Sequence, residues 1–263
     1  MELKYIDIGL NLMGKQFDSD RETVAADSFA AGVGFIVTGT DLKSDRAAVD
    51  YLKKSRFEHA WCTCGIHPHN ADRWDENYKR QLLELIQRNR GIVAAVGAAG
   101  LDYDRMFSTK ENQKRCFSYI LDIAESLELP LFLHERSAEQ DFIKLMKQHQ
   151  ELCRRSVVHC FTGSRGTAYR YLQLGCYIGI TGWICDDRRN REVVEAVKSI
   201  PLDRLMIETD APYLTPLNIK GLPRRNVPVN IKYVAEKIAA VKNTDVEAVE
   251  QAALRNTRQF FNL

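Results

Sequence analysis

"IVAAVGAAGLDYD", Ile92 to Asp104, is a run of small apolar residues that closes on two glycines bracketing two alanines. An apolar run without polar alternation reads as a strand buried on both faces, as in a parallel sheet covered by helices. Its polar end, Asp102 and Asp104, reads as the tip where the strand reaches a functional edge, yet Ala98 and Ala99 carry no chemistry there. Seven further runs share the pattern: "YIDIGLNL" (5–12), "GFIVTGT" (34–40), "AWCTCGIHP" (60–68), "LPLFLHE" (129–135), "SVVHCFTG" (156–163), "CYIGITGWI" (176–184) and "RLMIETDAP" (204–212). Between them lie stretches such as "SDRETVAADSFAAG" and "ENYKRQLLELIQRNR", whose apolar residues recur at three and four, the period of an amphipathic helix. Eight βα units in 263 residues predict an α/β fold of the TIM (β/α)8 barrel class, with residues 1–263 forming one domain. The rival is an open doubly wound sheet. That fold would carry a Gly-rich phosphate loop after its first strand, and "DIGLNLMGKQF" lacks the spacing.

Composition narrows the function classes. With 45% hydrophobic residues the chain can bury a full core. Lys plus Arg (37) nearly balances Asp plus Glu (35), so any nucleic-acid contact must come from local basic patches and not from a global field. No apolar run approaches the ~20 residues that span a bilayer, which predicts a cytoplasmic protein without a membrane partner. Nothing in the sequence calls for an obligate protein partner. Seven scattered cysteines, an odd number, predict reduced thiols, and the Cys62-x-Cys64 spacing is not that of a CxxC zinc or redox motif.

In a barrel the chemistry gathers at the C-terminal tips of the strands. Those tips present Asp7 and Asn11, Thr38 and Thr40, His67 and His69, Asp102 and Asp104, His134 and Arg136, His159, Trp183, and Glu208 with Asp210. Four of the six histidines fall on them, whereas His59 reads as a rim residue and His149, in "MKQHQEL", as a solvated helix residue. His134, His159 and Asp210 recur at one layer of three strands, which predicts a metal site. Imidazoles and carboxylates without a thiolate suit Zn, Mn, Ni or an oxygen-richer Mg site. A divalent ion there polarises a phosphoryl or carbonyl oxygen and acidifies a water, with Asp210 or Glu208 as the catalytic proton acceptor. Arg136 is placed for bidentate pairing with a phosphate, against the plainer reading of a structural ion pair.

"GIHPH" (65–69), "GLD" (100–102), "LHER" (133–136), "VHCFTGS" (158–164), "GITGWICDDRR" (179–189) and "IETDAPYL" (207–214) together resemble the TatD family of metal-dependent deoxyribonucleases over essentially the whole chain. The resemblance implies an amidohydrolase-like TIM barrel, a divalent metal with Mg ahead of Mn or Zn, and DNA as the partner hydrolysed, commonly by 3'-5' exonuclease action on single-stranded or frayed ends. It implies His134, His159 and Asp210 as metal ligands. Gly9 and Asn11 stand where two imidazoles bind a first metal in other subgroups, which places the chain nearer the founding TatD subgroup. The family pattern G-E-x-G-L-D is met by Gly97-Ala98-Ala99-Gly100-Leu101-Asp102, so Ala98 replaces a metal-binding Glu and predicts impaired turnover.

Either Ala98 is a substitution in an otherwise active enzyme or it marks natural decay to a binding protein. The intact surroundings favour the first. Substrate contacts are expected from His67, Arg136, Arg188, Arg224 and Arg225, the last three in basic loops that a phosphate backbone could follow, with Trp183 and Tyr213 as stacking residues. Two other function classes compete with the nuclease: a small-molecule amidohydrolase on the same barrel and an inactive nucleic-acid binder. The missing D-x-H-x-H opening argues against the former, and only Ala98 favours the latter.

Overall fold

In a computed structural model the protein is described over residues 3–263. Eight strands alternate with helices: β1 (Tyr5–Leu10), β2 (Val33–Val37), β3 (Ala60–Cys64), β4 (Val93–Asp102), β5 (Leu131–Arg136), β6 (Ser156–His159), β7 (Tyr177–Ile180) and β8 (Leu205–Ile207). The α-helices are α1 (Arg21–Ala30), α2 (Leu42–Ser55), α3 (Glu76–Gln87), α4 (Lys110–Leu127), α5 (Glu139–Met146), α6 (Gln150–Cys153), α7 (Arg165–Leu174), α8 (Arg191–Ser199), α9 (Ile231–Lys242) and α10 (Val246–Phe261). Sheet order follows chain order from β1 to β8, the topology of the (β/α)8 class. All eight expected strands form. Several stop sooner than their apolar runs, β3 at Cys64 and β6 at His159; beyond β3 the chain stays largely buried, and an apolar run does not mark where pairing ends.

The chain groups into two compact units. One comprises the segments up to Val37, Cys160–Gln173 and Tyr177–Leu263. Within it β1 pairs parallel with β2, Tyr5 opposite Val33, and β7 pairs parallel with β8, Ile178 opposite Leu205. Asn256 of α10 donates its amide to the carbonyls of Leu202 and Leu205, both at 2.7 Å, and so pins the C-terminal helix under β8.

The second unit comprises Thr38–His159 and Leu174–Cys176 and contains β3 to β6, all parallel. Its first three helices start on side-chain caps: Asp41 and Ser44 form a reciprocal capping box on α2, Asp75 caps α3 and Thr109 caps α4, each worth about 1 kcal/mol. The apolar face of α4 (Cys116, Phe117, Ile120, Leu121, Ala124) covers β4, and each large side chain so buried contributes about 1.5–3 kcal/mol.

β4 is buried along its whole length. Its register against β5 slips between Gly97, opposite Phe132, and Ala99, opposite Leu133, so that Ala98 is the extra residue of a bulge. Gly97 (φ 145°) and Gly100 (φ 136°) sit where a Cβ would lie 2.1 Å from the Phe132 carbonyl oxygen and 1.9 Å from that of His134. No side chain fits either position. The glycines of residues 92–104 let β4 and β5 approach, and the bulge they frame sets residue 98 out of the strand's alternation.

The seven cysteines are free, and all but Cys160 are buried, as expected for packing thiols. Among the described residues no helix is long and apolar enough to cross a membrane.

Candidate active site

In the second unit the tip of β5 and the segment after β3 converge on one carboxylate at the tip of β4, with the tip of β6 beside that of β5. Asp102 closes β4 and is 1% exposed. Its Oδ2 lies 2.8 Å from His69 Nε2 and 3.2 Å from His134 Nε2, while Oδ1 accepts the backbone N–H groups of Asp104 (3.0 Å) and Arg105 (2.8 Å). Gln113 of α4 clamps the same residue from behind, accepting the Asp102 N–H at 2.8 Å and donating to its carbonyl at 3.0 Å. Burial alone would raise this carboxyl, but the hydrogen bonds from His134, His69 and the Arg105 amide outweigh it and hold the group below the usual carboxylate range.

His134 and His159 are paired neighbours across β5 and β6, their ring centroids 5.7 Å apart, and Phe132 stacks on His159 at 4.2 Å. His67 stands 4.6 Å from the His134 ring and 4.3 Å from that of His69, and its Nδ1 accepts the His69 amide at 3.2 Å. Burial first, then the neighbouring imidazoles, push His67 well down and favour its neutral form. Burial also lowers His134, against the raising effect of Asp102. Neutral imidazoles beside an ionised carboxylate are the donor set that a borderline divalent ion takes, so these residues fit a metal with nitrogen and oxygen ligands. At residue 98 the methyl of Ala98, fully buried, supplies no donor.

The first unit holds the other expected carboxylates. Asp210 has a left-handed backbone (φ 53°), donates its N–H to the Gly9 carbonyl at 2.9 Å, and accepts the Asn11 side-chain amide on Oδ1 at 2.9 Å. Asn11 thus orients a carboxylate. Glu208 is fully buried and accepts the Cys160 N–H; burial pushes its carboxyl up to about 8. Asp7, also fully buried, accepts the N–H groups of Gly9 (3.1 Å) and Thr209 (2.9 Å) and the Thr209 hydroxyl, and burial raises it to about 8 despite those bonds. Both are positioned as neutral, hydrogen-bonded struts between strand ends.

The basic residues are found in ion pairs. Arg136 lies 3.0 Å from Asp104 Oδ2, the structural pair that was the plainer expectation. Arg188 makes two bonds to Asp186 (2.7 and 2.8 Å), beside Arg189, whose guanidinium lies 3.7 Å from the centre of the Trp183 ring. Arg225 is bidentate on Asp20, and Arg224 is exposed. A phosphate reaching Arg188 or Arg225 would have to compete with a carboxylate already there. His149 departs from expectation: its side chain is 14% exposed, at the turn before α6, 3.2 Å from Glu125 Oε2. With Asp122 and Glu125 of α4 it forms another His/carboxylate group, ligand atoms within 4.8 Å of one another and away from the strand tips. Sequence reasoning put Asp102 on a tip without a role and missed Gln113; a Gln inside the apolar face of α4 was the available signal.

Known proteins resemble this chain in sequence and in fold. The sequence profile of the family described as TatD related DNase matches residues 6–262. The 3'-5' ssDNA/RNA exonuclease TatD of Salmonella typhimurium is 39% identical over 260 residues, covering 98% of both chains. Among solved structures, the TatD homologue YJJV from Escherichia coli superposes with a TM-score of 0.89 at 29% identity over the full length of both chains. A TatD family hydrolase from Entamoeba histolytica gives 0.89 at 27% identity, covering 99% of this chain and 98% of that one.

Proposed function

The chain belongs to the TatD related DNase family, and from that premise we propose that it is a divalent-metal-dependent nuclease that removes nucleotides from the 3' ends of single-stranded or frayed DNA. The observation that carries the reading is the tip cluster itself: His134 and His159 as register neighbours beside the ionised Asp102, in a chain matched by the family from residue 6 to 262. His134, His159 and Asp210 are assigned as the metal ligands, with magnesium the first choice and manganese or zinc the alternatives. A divalent cation held there supplies Lewis acidity toward a phosphoryl oxygen and makes a water more acidic.

The chain's own residues do the rest. Asp210, oriented by Asn11, accepts the proton of the attacking water. Glu208, neutral and buried, fixes the start of the segment after β6 through the Cys160 amide. The neutral His67, and Arg136 once it exchanges Asp104 for a phosphate oxygen, orient the substrate, and Arg188, Arg224 and Arg225 follow the strand's backbone. All 263 residues serve one hydrolase domain, acting in the cytoplasm on DNA ends during repair.

Ala98 weakens metal binding in this reading, since even outer-sphere partners of a metal are worth about 10- to 100-fold in affinity or activity. The Ala98→Glu substitution tests it. Nucleotide release from a 3'-overhanging strand in Mg²⁺ or Mn²⁺ should rise by at least tenfold over the parent chain. An Ala98→Glu protein that stays inert while still binding DNA would favour the second reading, a nucleic-acid binder without turnover. Hydrolysis of a cyclic amide or lactone in place of phosphodiesters would move the site to another chemistry.

A further inference from the structure

The segment between β4 and α4 carries Met106 and Phe107, 42% and 66% exposed. An exposed phenylalanine forgoes much of the ~1.5–3 kcal/mol that its burial would contribute. This one is held outward by a frame of hydrogen bonds on both sides. Asp102 anchors the preceding turn through the Asp104 and Arg105 amides. The Ser108 hydroxyl donates to the His69 carbonyl at 3.0 Å and accepts the Asp72 amide at 3.1 Å, and Gln113 donates to the Ser108 carbonyl at 2.9 Å. Thr109 then caps α4. A loop fixed at Asp102, Ser108 and Thr109 has little freedom to fold Phe107 inward.

What Phe107 touches gives its exposure a direction. Its ring meets the His69 imidazole nearly perpendicularly, centroids 4.8 Å apart, and His69 in turn pairs with Asp102. The described chain has other exposed large hydrophobics, Tyr169, Tyr213 and Leu217 among them, but Phe107 makes a ring contact with the histidine cluster. A rigid aromatic face beside a polar, metal-competent cluster suits a ligand with both a π-face and a nearby anionic group. A nucleobase on its sugar-phosphate has that chemistry, and stacking accepts any base because every base has a π-face. An apolar protein partner would need more than two adjacent side chains to cover.

We propose that Phe107, backed by His69, is a stacking platform for one nucleobase near the 3' end of a bound single strand. The proposal rests on the nuclease reading and adds to it a base-binding, sequence-tolerant subsite. Phe107 here is a binding residue and takes no part in proton transfer.

Binding of a 5'-fluorescent single-stranded DNA oligonucleotide to the full chain in Mg²⁺, followed by anisotropy, tests it without requiring turnover. Phe107→Ala should weaken binding by about 5- to 150-fold, the range measured when stacking aromatics are removed. Phe107→Trp should retain affinity, and Phe107→Leu, apolar but without a π-face, should fall with the alanine variant. The thermal midpoint should not move, because the side chain is two-thirds exposed. Oligonucleotides with a single abasic site at successive 3' positions complete the cycle: at one position the base-less strand should bind the parent as weakly as the intact strand binds Phe107→Ala, with no further loss in the variant. Unchanged affinity of Phe107→Ala, or a loss that no abasic position absorbs, overturns the platform alone. A parent chain that binds no oligonucleotide overturns the nuclease reading and the platform with it.

Discussion

Asp102, at the tip of β4, and Asp7, within β1, are both carboxylates sealed from solvent, at 1% and 0% exposure, yet they are held in opposite states. Asp102 receives two imidazoles and two amides and is held ionised. Asp7 receives two amides and a hydroxyl, which favour its ionised form, but burial outweighs them and pushes it up to about 8. Burial raises both carboxyls, and the charge follows from whether the partners outweigh it: they do at Asp102 and do not at Asp7. The β4–β6 tips are organised to keep a negative charge among neutral imidazoles. The ends of β1 and β8 are organised as a neutral frame that fixes Asp210.

The two regions also rely on different forces, and the variants that separate them can be ranked. The largest effect is expected at Gly100, where β4 and β5 touch backbone to backbone: Gly100→Ala should cost about 3–5 kcal/mol in urea unfolding, since its Cβ has no space and φ is positive. On the β1–β8 side the corresponding weak point is a hydrogen-bond hub. Asp7→Ala strands the Gly9 and Thr209 donors and should cost about 2–3 kcal/mol, with Asp7→Asn milder. Asp102→Asn removes an ionised carboxylate that four hydrogen bonds favour, so it should lower stability at neutral pH and also weaken divalent-metal binding by about 10- to 100-fold in calorimetric titration. Equal losses of stability from the Asp7 and Asp102 variants, with no metal effect, would erase the distinction.

Acidity gives the same contrast with opposite sign. Asp7 and Glu208 keep protons in the folded state that the unfolded chain releases near pH 4, so the stability they contribute is full below that pH and declines as pH rises toward about 8. Asp102, with its pKa depressed, contributes stability that is present above pH 4 and lost as pH falls through its folded value. Thermal midpoints of Glu208→Gln should accordingly fall less than those of the parent between pH 4.5 and 8. Asp102→Asn should remove part of the acid-side loss. The smallest effect belongs to the surface: Arg225→Ala breaks the pair with Asp20 and should change stability by no more than about 1 kcal/mol.

Much of this architecture was legible in the residues. Eight apolar runs predicted eight strands, and the layer shared by His134 and His159 proved to be a register pair. The strand ends were not legible, because Gly65, Ile66 and Pro68 after β3 are as buried as the strand before them. Nor was the role of Asp102, whose partners His69 and Gln113 come from a loop and a helix that no sequence period links to β4. Arg188 and Arg225 read as open cations because their carboxylates, Asp186 and Asp20, are identified by geometry and not by spacing: one lies two residues away and the other 205.

The bulge at residue 98 has an evolutionary consequence. Its shape depends on Gly97 and Gly100 and on backbone pairing with β5, none of which consults the side chain at 98. Two of the four alanine codons differ from a glutamate codon by one base. From such a codon a lineage can lose or regain a charged group at this position in a single mutational step, with the scaffold that would present it left standing in between.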